Sequence, residues 1–250
     1  MTNALTGKRL NKYISDSGFC SRRGADKLIE QNRVTINGVQ PELGTKVQVE
    51  DIVIVDGNII AVSAENKSDR VYIAYNKPIG ITCTTESHVS GNIIAEINHS
   101  QRIFPIGRLD KPSEGLIFLT SDGDIVNKIL RAENVHDKEY IVTVNKPLND
   151  EFLDRMRLGV PILNTITNPC IVEVKSRFTF TIILTQGLNR QIRRMCEYLD
   201  YEVTKLKRSR IMSVELGRLK PGQWRDLTSE EMLEINQAVA SSSKTALDDN

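Results

Sequence analysis

Leu116-Ile117-Phe118-Leu119-Thr120 is a short, almost wholly apolar run, and it reads as a strand buried in a packed sheet. Directly before it, the stretch from Phe104 contains a charged loop closed by Gly107 and Gly115. In that loop Arg108 and Asp110 are separated by Leu109. Extended backbone alternates its side chains, so there both charges would point one way and Leu109 the other. Two readings fit this segment taken alone. One is a surface loop carrying a solvated ion pair. The other is a carboxylate held against a sheet, which is a good place for chemistry.

The rest of the chain bounds the choice. With 250 residues, 40% of them hydrophobic, it can build one large domain or two unequal ones around a real core. No apolar run approaches the roughly 18 residues that span a membrane. Met1 to Gly7 has no apolar core of a secretory signal, so no membrane association is expected and a cytoplasmic protein is. Cys20, Cys83, Cys170 and Cys196 are scattered with no paired spacing, and His88, His99 and His136 stand apart from them. Neither a metal centre nor a disulfide framework is expected, and the cysteines are read as small core residues.

The net charge of +1 says nothing about partners, but its distribution does. Residues 8–33 carry seven Lys and Arg against three acids, and residues 186–225 carry ten against four. Two basic zones on a nearly neutral chain point to aimed positive faces.

Leu10, Tyr13 and Ile14 have helical spacing, with Gly18 as a left-handed stop. Ser21 reads as the N-cap of a helix running to about Gln31, with Ala25, Leu28 and Ile29 on its apolar face and Arg22, Arg23 and Lys27 elsewhere. Val34-Thr35-Ile36 followed by Asn37-Gly38 predicts a strand and a tight hairpin turn. Alternating strand continues through Val47, Val49 and Ile52 to Val55, with a second turn at Asp56-Gly57. Residues 8–62 are therefore expected to form a small α-then-β module, and the polar segment 63–70 a linker. Strands are expected at 71–75, 116–120, 140–144, 171–174 and 178–185, and helices at 122–131, 150–158 and 190–199. This mixture predicts a larger α+β domain over 71–237 and a polar, frayed tail over 238–250.

The first module resembles the S4 RNA-binding domain. The resemblance lies in Arg9 to Ile14, in Gly18 to Ile29 with its Ser21-Arg22-Arg23, and in Arg33-Val34-Thr35-Ile36-Asn37-Gly38. A helix start bearing adjacent arginines offers backbone N–H groups, a positive dipole end and two guanidinium forks to phosphate. Such contacts position RNA without reading much sequence. Without the resemblance, the same residues are equally a charged solvated face.

The larger domain resembles the pseudouridine synthases, in the branch that modifies large-subunit ribosomal RNA and has an S4 domain in front. Four blocks in order support this: Tyr75-Asn76-Lys77-Pro78-Ile79-Gly80, then Gly107 to Gly115, then Lys138-Glu139-Tyr140-Ile141-Val142, then Gln186 to Met195. Asn98-His99-Ser100 and Asn127 to Arg131 bring the chain nearest to the RluF type. The resemblance implies a mixed-sheet catalytic domain and three catalytic residues. Asp110 corresponds to the catalytic aspartate, Tyr140 to the tyrosine stacked on the target base, and Arg193 to the arginine paired with the aspartate. Arg108 would fill the gap left by the flipped base, and Arg190 would contact RNA with Arg22, Arg23 and Lys27. It further implies a monomer acting on a ribosomal RNA stem-loop, with a tRNA anticodon loop as a second target. Isomerising uridine imports no group and oxidises nothing, so no cofactor is expected.

Read alone, Tyr140 is a strand core tyrosine, the arginines at 190–194 are a solvated helix start, and Lys77-Pro78 is structural. Pro112 stands where a variable, often acidic, residue is expected and touches no assigned role. Two other functions compete. A non-catalytic RNA-binding assembly factor has no reason to keep Asp110, Tyr140 and Arg193 together. A glycosidase-like hydrolase needs a second carboxylate across the scissile bond, for which Glu114 is the nearest candidate.

Overall fold

The computed structural model describes residues 7–60, 70–86, 88–130 and 136–240. The chain divides into two compact units between Arg70 and Val71. The expected linker, save Arg70, lies outside the described residues, as does the tail from residue 241 onward. Among the described residues no helix is long and apolar enough to cross a membrane.

The first unit runs β1 (Lys8–Arg9), α1 (Leu10–Asp16), α2 (Arg22–Glu30), β2 (Val34–Ile36), β3 (Lys46–Val47), β4 (Val53–Val55) and β5 (Asn58–Ile60). Gly18, at φ +85°, follows α1 as a left-handed stop. Ser21 caps α2, its Oγ accepting from the Gly24 N–H at 3.0 Å. Ala25, Leu28 and Ile29 pack against Leu10, Ile14, Val34, Val53 and Val55, so the apolar stripe read from the sequence is the face that is buried. Arg22, Arg23 and Lys27 are exposed.

Asn37-Gly38 is the tight turn expected, with φ +52° and +82°, and Ile36 and Val39 exchange backbone hydrogen bonds across it. The hairpin ends there, however. The partner of β2 along its length is β4, with Val34 opposite Val55 and Ile36 opposite Val53. Asn37 is the reason. Its backbone N–H donates to the Ile52 carbonyl, its Oδ1 accepts from the Ile52 N–H at 2.9 Å, and its Nδ2 donates to Asp51. These bonds draw the later segment alongside. The alternation expected through Val49 also fails, because Asp51 accepts from the Gln48 N–H at 2.7 Å and turns the chain, leaving Val49 exposed. Asp56-Gly57 makes the second turn, between β4 and β5.

The second unit runs β6 (Tyr72–Lys77), α3 (Ile93–Ile97), β7 (Phe104–Ile106), β8 (Glu114–Thr120), α4 (Gly123–Leu130), β9 (Lys138–Val144), α5 (Asp150–Leu158), β10 (Pro161–Ile162), β11 (Thr165–Ile166), β12 (Ile171–Ser176), β13 (Thr179–Leu184), α6 (Gln191–Tyr198), β14 (Val203–Ile211), β15 (Val214–Glu215), β16 (Trp224–Asp226) and α7 (Ser229–Val239). Among the described residues a nine-stranded mixed sheet runs β12-β13-β9-β14-β8-β6-β16, with β7 against β8 and β15 against β14. Only β8 and β14 are parallel in it.

The run Leu116 to Thr120 is a central strand covered on both faces, which is why it lacks polar alternation. Leu116 and Phe118 pack with Ala74, Ile125 and Ile129 on one side. Ile117 and Leu119 pack with Ile73, Ile93, Ile97 and Leu109 on the other. The β9–β13 half of the sheet is covered by α5 and α6, whose Phe152, Met156, Ile192, Met195 and Cys196 join Val142, Phe180 and Ile182 in one cluster.

At the C-terminal end the expected tail begins too early. A capping box between Thr228 and Glu231 starts α7, and Arg225 grips Glu231 through two bonds of 2.7 Å. Ile235 and Val239 are buried, so the helix runs two residues into the segment expected to fray.

Candidate active site

The charged loop between β7 and β8 forms one wall of a cleft of about 370 Å³. Arg108, Asp110, Tyr140, Arg190 and Arg193, five residues singled out in the sequence, all line it. Among the described residues that line it Asp110 is the one acid; Glu114 is not among them. The alternation expected around Leu109 is present in the burial pattern, in a loop rather than a strand. Leu109 is buried, Arg108 is exposed, and Asp110 is partly exposed.

The loop is pinned at several points, so the carboxylate has a defined place. Ser113 N–H donates to the Asp110 carbonyl at 3.0 Å, and Gly80 N–H donates to the Lys111 carbonyl at 2.8 Å. Leu109 N–H donates to Cys83 Sγ at 3.4 Å. Lys77 shapes the Gly80 turn from below. It is fully buried, and its Nζ donates to the carbonyls of Pro78 and Ile81 at 2.8 and 2.9 Å. Burial pulls its ammonium below the ordinary lysine value, with Cys83, Asp110 and Glu114 working the other way. The structural reading of Lys77 fits these contacts.

The expected pairing of Asp110 with Arg193 is not what the structure shows. The cation next to Asp110 is Arg190, Nη1 to Oδ2 at 3.7 Å. Arg190 sits at the N-cap of α6 with left-handed backbone, φ +50° and ψ +35°, and its side chain caps nothing. Arg193, one turn further on, grips the loop instead. Its Nη2 donates to the Pro112 carbonyl and to Ser113 Oγ, both at 3.3 Å, and its Nη1 to the Val203 carbonyl at 3.1 Å. Burial lowers the Arg193 guanidinium from the usual arginine value, Arg190 adds to that, and Asp110 opposes it. Pro112, read as incidental, thus supplies a carbonyl that ties the Asp110 loop to α6. The Asp110–Arg190 pair is roughly two-fifths exposed on the arginine side and a third on the aspartate side. Such a pair is worth no more than about 1 kcal/mol, so an incoming anionic ligand can displace it cheaply.

Tyr140 stands on β9 and is half-buried, packing against two of the apolar clusters. Opposite it on β14 lies Arg208, a residue the sequence reading passed over. Arg208 is 5% exposed, its Nη1 reaches the Tyr140 hydroxyl at 3.4 Å, and it lines the cleft too. A signal was present in the strand pattern: Arg208 is in phase with buried Leu206, and a cation on the inward face of a strand needs a reason. Lys138, two residues before Tyr140 and on the same face, also lines the cleft. Burial and then Arg208 lower its ammonium, while Asp137 raises it.

Among the described residues no three His, Cys, Asp or Glu side chains converge as a metal site would require. Arg22, Arg23 and Lys27 belong to the first unit and stand at the start and on the exposed side of α2.

Comparison with known proteins matches both halves. A family model described as RNA pseudouridylate synthase matches residues 71–198, and an S4 domain model matches residues 8–53. The chain is 56% identical over 241 residues to the dual-specificity RNA pseudouridine synthase RluF of Salmonella typhi, spanning 96% of this chain and 83% of that one. It is 34% identical over 248 residues to the ribosomal large subunit pseudouridine synthase B of Bacillus subtilis, spanning 96% and 99% respectively. A solved structure described as a pseudouridylate synthase aligns with TM-score 0.67 and 26% identity, over 91% of this chain and 99% of that one.

Proposed function

The chain belongs to the RNA pseudouridine synthases, with an S4 domain ahead of the synthase domain, and from that premise we propose that Asp110 isomerises one uridine in 23S ribosomal RNA and one in a tRNA anticodon loop. The observation that carries the assignment is the position of Asp110 as the one acid, among the described residues, in a cleft otherwise lined by cations, amides, hydroxyls and apolar groups. Two-carboxylate hydrolysis finds no second acid there among the described residues.

The reaction breaks N1–C1′, turns the base and joins C5 to C1′. In the balance one proton leaves C5 and one arrives at N1. An ionised Asp110 serves either as nucleophile at C1′ or as base at C2′. The base must first leave its stack, at a cost of a few kcal/mol in paired RNA and less in a loop. Exposed Arg108, beside Asp110 and turned away from buried Leu109, can occupy the vacated space. Tyr140 can stack on the extruded ring, a contact worth about 1–3 kcal/mol. Arg190 exchanges Asp110 for phosphate as RNA enters. Arg193 acts through the loop it holds by Pro112 and Ser113.

We assign RNA positioning to residues 8–62 and chemistry to residues 71–237. The relatives are bacterial, and in such cells ribosomal and transfer RNA lie in the cytoplasm, where we place the enzyme.

Purified protein incubated with 23S ribosomal RNA and total tRNA transcripts is expected to introduce pseudouridine at a single position in each. Mapping that finds none in either RNA, with RNA binding intact, would instead favour the assembly-factor reading. Replacing Arg22, Arg23 and Lys27 together by Ala is expected to weaken RNA affinity and flatten its salt dependence. Three lost phosphate contacts reduce the slope of log K against log salt by about 2 to 3. An unchanged slope in a titration from low to moderate salt would remove α2 from the RNA interface.

A further inference from the structure

We propose that Arg208 is a positioning residue for the reaction, the group that holds the Tyr140 hydroxyl in its working place within the cleft. The inference rests on the synthase reading above and extends it to a residue with no role there.

Stability gives no account of Arg208. The residue is only 5% exposed, yet among the described residues it makes no ion pair. Its Nη2 is buried without a partner. Removing a charge from water costs several kcal/mol unless it is paired and fully hydrogen-bonded, and an apolar side chain of similar volume usually serves packing as well or better. A buried, incompletely satisfied guanidinium is therefore a feature to be explained by what it touches.

It touches two things. Nε donates to the Leu116 carbonyl at 2.6 Å, and Nη1 donates to the Tyr140 hydroxyl at 3.4 Å. The guanidinium carbon also lies 5.9 Å from the Tyr140 ring centroid. Because the guanidinium is planar, anchoring Nε on the backbone of β8 fixes where Nη1 points. Tyr140 is then located from two directions, by its own strand and by this fork. The phenol oxygen accepts from Arg208, so its own hydrogen is left to point elsewhere.

The sheet is built to allow this. Arg208 is paired with Tyr140 on one side and with Gly115 on the other. At Gly115 the Arg208 backbone comes so near that a Cβ would sit 2.3 Å from its carbonyl oxygen. That close approach sets the one parallel junction of the sheet at Arg208, beside the loop that bears Asp110.

The test uses the full chain and a 23S ribosomal RNA transcript carrying 5-tritiated uridine, with tritium release as the readout. Arg208→Met is expected to lower the rate at saturating RNA about thirtyfold or more, with half-saturation within about twofold. Arg208→Lys keeps the charge without the fork and is expected to recover less than about a tenth of the parental rate. Combined with Tyr140→Phe, Arg208→Met should add less than about threefold to the loss, because both changes remove one interaction. Losses that multiply in the double variant, or a loss confined to half-saturation, would overturn the proposal. If Arg208→Met does not fold, Arg208→Lys decides: folded and slow supports it, folded with parental rate overturns it. An Asp110→Asn variant that kept the parental rate would sink the synthase assignment of Asp110 and not this one.

Discussion

Asp110→Asn is expected to abolish pseudouridine formation while RNA affinity stays unchanged or rises slightly. The amide has the shape of the carboxylate but can neither attack C1′ nor take a proton from C2′. A loss of at least about a thousandfold is expected, equivalent to about 4 kcal/mol of transition-state stabilisation. The fold has little reason to respond. The bonds that pin this loop use the backbone of Asp110 and Lys111, the Leu109 N–H and the Ser113 hydroxyl, and none uses the carboxylate. The one ion pair lost, to Arg190 at 3.7 Å, is partly exposed and adds little to stability. It leaves Arg190 free for phosphate, hence the unchanged or tighter binding. Single-turnover tritium release and a filter-binding titration measure the two quantities. A variant within about tenfold of the parental rate would falsify the assignment of Asp110.

The expected loss also separates what the chain discloses locally from what only packing decides. The buried strand at 116–120 and the charged loop before it were legible because burial on both faces demands an unbroken apolar run. The face of α2 was legible from its 3.6-residue spacing, and both Asx-Gly turns from their need for positive φ. The partner of β2 was not. It depends on the Asn37 side chain reaching Ile52 and Asp51, far along the chain. The partner of Asp110 was hidden for a similar reason. Arg190 and Arg193 lie one turn apart in sequence, and which of them meets Asp110 turns on the left-handed backbone at Arg190 and on the carbonyl of Pro112. A motif names both arginines but carries no information about that geometry. Arg208 was overlooked because a basic zone read as a surface hides its one fully buried cation.

Gly115 closes the loop at its other end, and Gly115→Ala is expected to be among the most damaging single changes in the chain. Two independent causes act there. Its φ of +112° is a conformation that side-chain-bearing residues rarely adopt. An added Cβ would also lie 2.3 Å from the Arg208 carbonyl oxygen and 2.5 Å from its nitrogen. Both neighbours are backbone, so neither can rotate aside. Relief requires β8 and β14 to part at Lys207–Glu114 and Arg208–Gly115, the only pairs that join them. Strain and overpacking together are expected to cost about 3 kcal/mol or more. For a unit of this size that lowers the melting midpoint by roughly 6–12 °C. Gly187→Ala is the control: its φ is not in the left-handed range and its Cβ meets nothing within 4 Å, so the midpoint should shift by no more than about 2 °C. Activity should fall further than stability explains. Even at a temperature where Gly115→Ala stays folded, a parted junction moves Arg208, and with it the Tyr140 hydroxyl that Arg208 holds at 3.4 Å. A melting midpoint for Gly115→Ala within about 2 °C of the parent would show that the strands yield there without cost, and would remove the argument that the loop needs glycine.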